Sequence, residues 1–300
     1  MGELSVNKSV PNIPKGFAMD SFKWVMIVLS LFASASALAK DIRIIGSSGK
    51  VLTLKDKTWN RPAPESAVAS FSANGKTFPL YVSDVGTETH DSWLSPDKKT
   101  LLLLHTLYGV VFGQEGEEIP TEETGCDAIS METGCVLSQH MASFCYGKWE
   151  GNRWTSEEGE DSDFVMNTPS PKELLKQVSS IETAESRMEA IEFSLRTVSP
   201  DAYMACHPPS RNAQGLNDLG FYLAEGGNDE LALKFYRGVE AVGKRTVLML
   251  NIADSLWRLG RKDEAQRYYH GYGEAMTAAG KAQKIPQRVV ERTANQGMKN

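Results

Sequence analysis

The residues that could do chemistry are spread along this chain and match no known catalytic or metal-binding motif. The five histidines, at positions 90, 105, 140, 207 and 270, are not spaced as metal-ligand pairs. The sequence contains no H-E-x-x-H, G-x-S-x-G, G-x-G-x-x-G or phosphate-binding loop signature. We therefore predict that the protein is not an enzyme and holds no cofactor or metal ion.

Two short stretches contain residue types found in catalytic sites without completing such a site. His90, Asp91 and Ser92 are the three types of a catalytic triad, but neighbours in sequence do not have the geometry that a triad needs. Ser95 and Lys98 match the first element of a penicillin-binding signature whose other elements are missing. The Pro-Asp pair between them is typical of a turn, so neither stretch predicts an active site.

The four cysteines, Cys126, Cys135, Cys145 and Cys206, are predicted to form two disulfides. Their spacings lack the close C-x2-C pairs that zinc sites use. Three pairings are possible. The repeated Thr-Gly-Cys sequence indicates two facing turns and favours Cys126 with Cys135. In that pairing, Cys145 and Cys206 would join the two parts of the chain.

The N-terminal residues 1–39 have the pattern of a secretory signal peptide. Lys23 precedes the apolar run 24–32, and small residues then lead to an A-x-A site that ends at Ala39. We predict cleavage after Ala39, with Met19 as an alternative start, and a periplasmic mature protein. The apolar run is too short and too polar for a stable transmembrane helix. An exported chain is also the setting in which disulfides form.

Length and charge restrict the partners that the chain can take. A chain of 300 residues is long enough for two domains, and its 41% hydrophobic and 23% charged content is ordinary for a soluble protein. The net charge of −6 gives no general attraction for nucleic acid. Acidic runs lie at residues 115–123 and 157–163, whereas residues 281–300 carry five Lys or Arg against one Glu.

Residues 40–155 are predicted to form an antiparallel β-rich domain, either sandwich-like or barrel-like. Asn74-Gly75 stands between two apolar runs, which is a strong hairpin signal because both residues tolerate positive φ. Trp149 and Trp154 flank a second turn and should lie side by side on one hairpin. The apolar stretch 100–111 is predicted to be central in the sheet.

Residues 156–169 are predicted to be an acidic linker, and residues 170–300 an all-α domain. Ser170, Pro171 and Glu173 have the positions of a capping box with proline at the first helical residue, so a helix should begin there. The fold class predicted for the whole chain is therefore α+β with two domains, in which β-rich structure precedes helices.

One sequence period repeats in residues 216–280. Gly220 and Ala232 are matched about 33 residues later by Ala253 and Ala265, with aromatic and aliphatic residues at equivalent places around them. This pattern resembles the tetratricopeptide family, although the terminal proline of that family is absent from both copies. The oligomeric state is left open.

The resemblance implies an array of about three helical hairpins with a concave protein-binding face. Helices in residues 171–198 would precede the two repeats, and a capping helix in residues 285–295 would follow them. By the family's spacing, five side chains would point into the concave face: Asn217, Phe221, Leu250, Asp254 and Trp257. Asp254 and Trp257 are the strongest candidates for contact with a partner, since Trp often anchors interfaces.

These features predict an exported, non-enzymatic protein-binding module. The architecture is similar to that of periplasmic immunity proteins, which bind and block secreted antibacterial toxins such as lipases, so the resemblance implies a toxin as the protein partner. Two alternatives stay open. One is a scaffold or assembly factor of the cell envelope, and the other is a secreted hydrolase that uses the β-rich domain.

Overall fold

The computed structural model describes residues 41–56, 66–82, 85–88, 93–114 and 116–294. The predicted signal peptide, with Ala39 and Met19, lies outside the described residues, as do His90, Asp91 and Ser92. Antiparallel sheets occupy the N-terminal half of the described chain, and helices occupy the C-terminal half. The predicted mixed fold, with β structure first, is therefore confirmed. No described helix has both the length and the apolar character that are needed to cross a bilayer.

The larger sheet has eight strands: β1 (Ile42–Ile45), β2 (Val51–Asp56), β3 (Ser66–Ala73), β4 (Lys76–Pro79), β5 (Val85–Glu88), β6 (Thr100–Phe112), β7 (Glu118–Ser130) and β8 (Val136–Met141). Its order is β1-β2-β3-β5-β6-β7-β8, with β4 paired to β3. The predicted Asn74-Gly75 hairpin is confirmed, with φ values of 52° and 75° at the turn. The predicted central strand is also confirmed, because β6 lies between β5 and β7.

A smaller sheet covers one face of the larger one. It follows the short helix α1 (Ala142–Cys145) and consists of β9 (Gly147–Glu150), β10 (Arg153–Ser156) and β11 (Asp161–Ser162). Trp149 and Trp154 are cross-strand partners, as predicted, with ring centroids 5.3 Å apart. Trp154 is fully buried and Phe164 nearly so, in a cluster with Leu102 of β6. The predicted linker therefore contains a strand and a core residue.

The helical half has eight helices in the described residues: α2 (Pro171–Val178), α3 (Ala184–Ser194), α4 (Pro200–Cys206), α5 (Pro209–Glu225), α6 (Asp229–Glu240), α7 (Thr246–Arg258), α8 (Lys262–Ala278) and α9 (Gln287–Ala294). The capping box is formed as predicted. The Ser170 side chain accepts from the backbone N–H of Glu173, and the Glu173 side chain accepts from the backbone N–H of Ser170. Local residue types thus decide where the first of these helices begins.

Helix α4 joins the helical half to the larger sheet. It packs against β4 and β8, and Tyr203 and Ala202 are fully buried in a core shared with Leu101 and Leu103 of β6. Tyr203 also donates a hydrogen bond of 3.0 Å to the carbonyl of Pro169. One continuous core therefore connects the sheet to the helices.

The two disulfides join Cys126 to Cys145 and Cys135 to Cys206. The prediction that all four cysteines form disulfides is confirmed, and the favoured pairing of Cys126 with Cys135 is wrong. Cys126 lies in β7 and Cys135 immediately precedes β8, but their side chains pack in different places. Cys126 faces the cluster under the smaller sheet, whereas Cys135 meets the C-terminal residue of α4.

Helices α5 to α8 form two consecutive pairs, in which α5 packs on α6 and α7 packs on α8, while α6 contacts α7. The four small residues of the repeated pattern are all buried where these helices meet. At Gly220 a Cβ atom would lie 2.5 Å from Cε1 of Tyr236, so only glycine fits beside that ring. The short helix α9 then packs against α8.

Candidate binding groove in the helical half

A groove of about 370 Å³ opens between α5, α7 and α9. Three elements that are distant in sequence therefore build it, and α6 contributes only Tyr236 at its base. The lining residues are Phe221, Ala224, Glu225, Tyr236, Asn251, Asp254, Arg258, Arg288 and Arg292. None of the described residues in this lining is a serine, cysteine or histidine, and its polar groups are carboxylates, guanidiniums, an amide and a phenol.

The five predicted contact residues take different positions. Phe221 and Asp254 line the groove, and 47% of the surface of Phe221 is exposed. Asn217 is buried, and its side-chain oxygen accepts a 3.0 Å hydrogen bond from Asn251 in the lining. Leu250 and Trp257 are partly buried and pack against the main core. The structure thus brings two of the five to the groove and a third directly behind it.

Asp254 is held by side chains from two later helices. It accepts a hydrogen bond of 2.6 Å from the hydroxyl of Tyr269, and bonds of 2.8 Å and 3.1 Å from Arg288 and Arg292. Burial opposes ionisation of this carboxyl, but the hydrogen bonds and positive charges outweigh burial, so its pKa lies below the ordinary value. Asp254 is therefore ionised at neutral pH and fixes the position of α9 against α7.

Trp257 orients the cationic side of the groove. The guanidinium of Arg292 lies over its ring, 4.8 Å from the centroid, and the Lys262 ammonium lies 5.5 Å from the same centroid. Tyr269 packs against the edge of the indole, with centroids 6.2 Å apart. Since cation–π contacts favour one placement of a guanidinium, Trp257 acts on the groove through Arg292.

A second ion pair fixes the other cationic side chain. Arg258 donates two hydrogen bonds, of 2.8 Å and 2.7 Å, to the carboxylate of Asp229, which is only 5% exposed. This fork-to-carboxylate geometry is the strong form of the pair. On the opposite wall, Glu225 pairs with Arg187 at 2.9 Å. The lining thus carries three arginines against two carboxylates, which leaves an excess of positive charge.

Arg288 and Arg292, which supply much of the positive charge of the groove, were not among the predicted contact residues. Arg288 and Arg292 are four residues apart on α9, so they share one helix face. The i, i+4 spacing could have predicted a positively charged helix face, but the contact of both arginines with Asp254 depends on the tertiary packing of α9 near α7. Both remain accessible, with 44% and 26% of their side-chain surface exposed.

A smaller cavity of about 170 Å³ lies at the β6–β7–β8 side of the larger sheet. The Nε2 atom of His105 is 3.1 Å from Oδ1 of Asp127, and both side chains are buried. Burial, together with the Asp127 charge, raises the pKa of the neighbouring Tyr81 well above its ordinary value. Ser138 and His140 are hydrogen-bonded at 2.8 Å, but Ser138 is only 2% exposed. A substrate therefore cannot reach this hydroxyl without rearrangement.

Within the described part of the chain, no group of three or more His, Cys, Asp or Glu side chains is placed to hold a metal ion. Comparison with known proteins returned no matching family model, curated protein or solved structure.

Proposed function

We propose that this chain is an exported, non-enzymatic protein-binding module, and that its helix pairs form a tetratricopeptide-like array that binds a partner segment in the groove. The observation that carries the proposal is the groove itself, where an exposed Phe221 faces an arginine-rich wall supplied by α7 and α9. Aromatic and arginine side chains are the residue types that contribute most to protein interfaces.

The buried positions support the repeat interpretation. Ala232 and Ala265 stand 33 residues apart, as do Tyr236 and Tyr269, and each of the four is almost fully buried. Equivalent residues thus do equivalent packing in the two helix pairs, which is the physical basis of a repeat array.

The side chains of the groove indicate what kind of segment it takes. Arg258 and Arg288 are about half exposed, so each can donate to a carboxylate while keeping its internal pair. Phe221 offers an apolar surface beside them. We infer an extended segment that combines acidic residues with an apolar or aromatic side chain.

The two disulfides are compatible with export. Within the proposal, the protein is periplasmic, and its partner is a secreted antibacterial toxin such as a lipase, which the protein binds and blocks. An envelope scaffold with another protein partner is the main alternative. Deleting the gene distinguishes the two, because loss of an immunity protein sensitises cells to attack by sibling cells, whereas loss of a scaffold disturbs the envelope without such attack.

The direct test is recovery of a partner by the full chain in oxidising buffer. Phe221→Ala and Arg288→Ala should each lower the recovered partner at least tenfold, as truncation of central interface residues does. Lys234→Ala is the matched control, because Lys234 is an exposed cation on α6 that does not line the groove. Equal recovery by the groove variants and the control would contradict binding at this site.

A secreted hydrolase is the second candidate, and the cavity beside His105 and Asp127 is the observation that favours it. The full chain should be assayed on generic ester, glycan and peptide substrates. Turnover that His105→Ala abolishes would overturn the non-enzymatic proposal. We expect no turnover, because the side chains of both residues are at least 95% buried.

A further inference from the structure

The two central strands of the larger sheet extend beyond their neighbours. Pairing between β5 and β6 ends at Thr106, and pairing between β7 and β8 ends at Gly125. Beyond these residues β6 and β7 continue to pair with each other through six residue pairs, from Leu107 with Glu123 to Phe112 with Glu118. We name residues 107–123 the ribbon. In the described structure its strands have no third strand beside them.

The ribbon exposes apolar side chains on both faces. Phe112 is 72% exposed, Val110 and Val111 are each 50% exposed, and Ile119 is 44% exposed. Val111 is paired with Ile119 and therefore shares a face with it, whereas Val110 and Phe112 lie on the other face. Leaving four neighbouring apolar side chains in water is unfavourable, and such clusters commonly mark contact sites.

The charges of the ribbon have a single sign. Residues 107–123 contain five glutamates and no lysine or arginine. Glu118 stands directly opposite Phe112, and the exposed Glu117, Glu122 and Glu123 lie on the same strand or at the turn. The ribbon thus places apolar side chains within a surrounding of carboxylates.

We propose that the ribbon inserts into a cleft of another protein whose floor is apolar and whose rim carries lysine and arginine. The carboxylates of the ribbon favour a basic protein cleft over a second copy of the chain or an anionic lipid surface. Residues 107–123 of two copies would together contain ten glutamates and no lysine or arginine, so pairing between ribbons is opposed by repulsion. An anionic lipid surface would repel the same carboxylates. A basic cleft satisfies both the apolar and the charged side chains of the ribbon.

The ribbon is separate from the groove, so this inference shares with the proposed function only that the chain binds proteins. The test places a photoreactive p-benzoyl-phenylalanine at Phe112 in the full chain, expressed in the cells that produce it. Val165 is the matched control, since it is 79% exposed and also lies in an acidic segment. We expect an adduct with a basic protein from position 112 and none from position 165.

Charge reversal then tests the basis of recognition. Glu118→Lys with Glu122→Lys should lower the yield of that adduct at least tenfold, whereas Glu157→Lys with Glu158→Lys, which reverses two exposed carboxylates elsewhere, should leave it unchanged. The groove variant Phe221→Ala should also leave contact by position 112 detectable, which separates failure of the ribbon from failure of the groove. The proposal would be overturned by equal yields at positions 112 and 165, or by no adduct at all. It would also be overturned by an adduct with a second copy, with lipid or with an acidic protein.

Discussion

Substituting Gly220 by alanine should destabilise the protein, although alanine is the better helix former. The added Cβ would lie 2.5, 2.9 and 3.0 Å from three ring carbons of Tyr236. Favourable carbon–carbon contacts are about 3.5–4.0 Å long, so the ring must move by about 1 Å. Tyr236 is only 1% exposed, and its ring therefore has little space into which it can move.

The magnitude follows from two opposing contributions. Overpacking a core costs about 1–3 kcal/mol, and three contacts at or below 3.0 Å place this site in the upper part of that range. Replacing glycine by alanine within a helix contributes about 1 kcal/mol in the opposite direction. We expect Gly220→Ala to lower the free energy of unfolding by about 1–2 kcal/mol.

Gly273→Ala is the matched control. Gly273 lies inside α8, and an added Cβ there would meet none of the described atoms within 4 Å. Only helix propensity then acts, so we expect this variant to be about 0.5–1 kcal/mol more stable than the wild type. Urea unfolding followed by circular dichroism, in oxidising buffer, measures both. A Gly220→Ala protein as stable as wild type would refute the close packing between α5 and α6.

Two further perturbations give expected outcomes. Removing the Cys135–Cys206 bridge by double serine substitution should lower the free energy of unfolding by about 4 kcal/mol, and removing Cys126–Cys145 should lower it by about 3 kcal/mol. The difference is expected because the bridged residues are 71 rather than 19 apart in sequence. Urea unfolding of both variants measures the two losses, and equal losses would contradict this order. Asp254→Asn should lower stability by about 2 kcal/mol near pH 7, since charged hydrogen bonds are lost. Because the pKa of Asp254 is lower in the folded than in the unfolded protein, the stabilisation by its charge is present above the unfolded pKa and is lost as the pH falls through the folded pKa. The difference in unfolding free energy between the variant and the wild type should therefore narrow below about pH 4. Unfolding measured between pH 3 and pH 7 tests this, and a constant difference would show that the charge of Asp254 is not what stabilises the fold.

Features that depend on neighbouring residues could be predicted from the sequence. The Asn74-Gly75 turn has the positive φ values that its residue types favour, and the capping box at Ser170 is satisfied within four residues. The pairing of Trp149 with Trp154 follows from the short turn between them. In each case the interaction that decides the structure is encoded in adjacent residues, so no knowledge of tertiary packing was needed.

Features that depend on distant segments could not be predicted in the same way. The pairing of Cys135 with Cys206 is decided by the docking of α4 against β8, across 71 residues. Asp254 was predicted to face a partner, but two arginines from α9 hold it, 34 and 38 residues later in the chain. Of the five predicted residues, Phe221 and Asp254 line the groove, and only the packing of α9 shows which charges beside them remain accessible.

The groove and the ribbon carry opposite charges, and this limits how one partner could use both. Electrostatic interactions are screened over about 8 Å at physiological salt, so the net charge of −6 decides neither contact and the local charges decide both. In the two proposed contacts, the groove binds a carboxylate-bearing segment and the ribbon binds a basic cleft. A single partner would therefore need an acidic extension beside a basic cleft. Removing either contact would then weaken the other, because one contact raises the effective concentration of the partner at the second. Two separate partners would instead be lost independently, so the recovery of each partner by the Phe221→Ala variant and by the ribbon charge-reversal variant distinguishes the two arrangements.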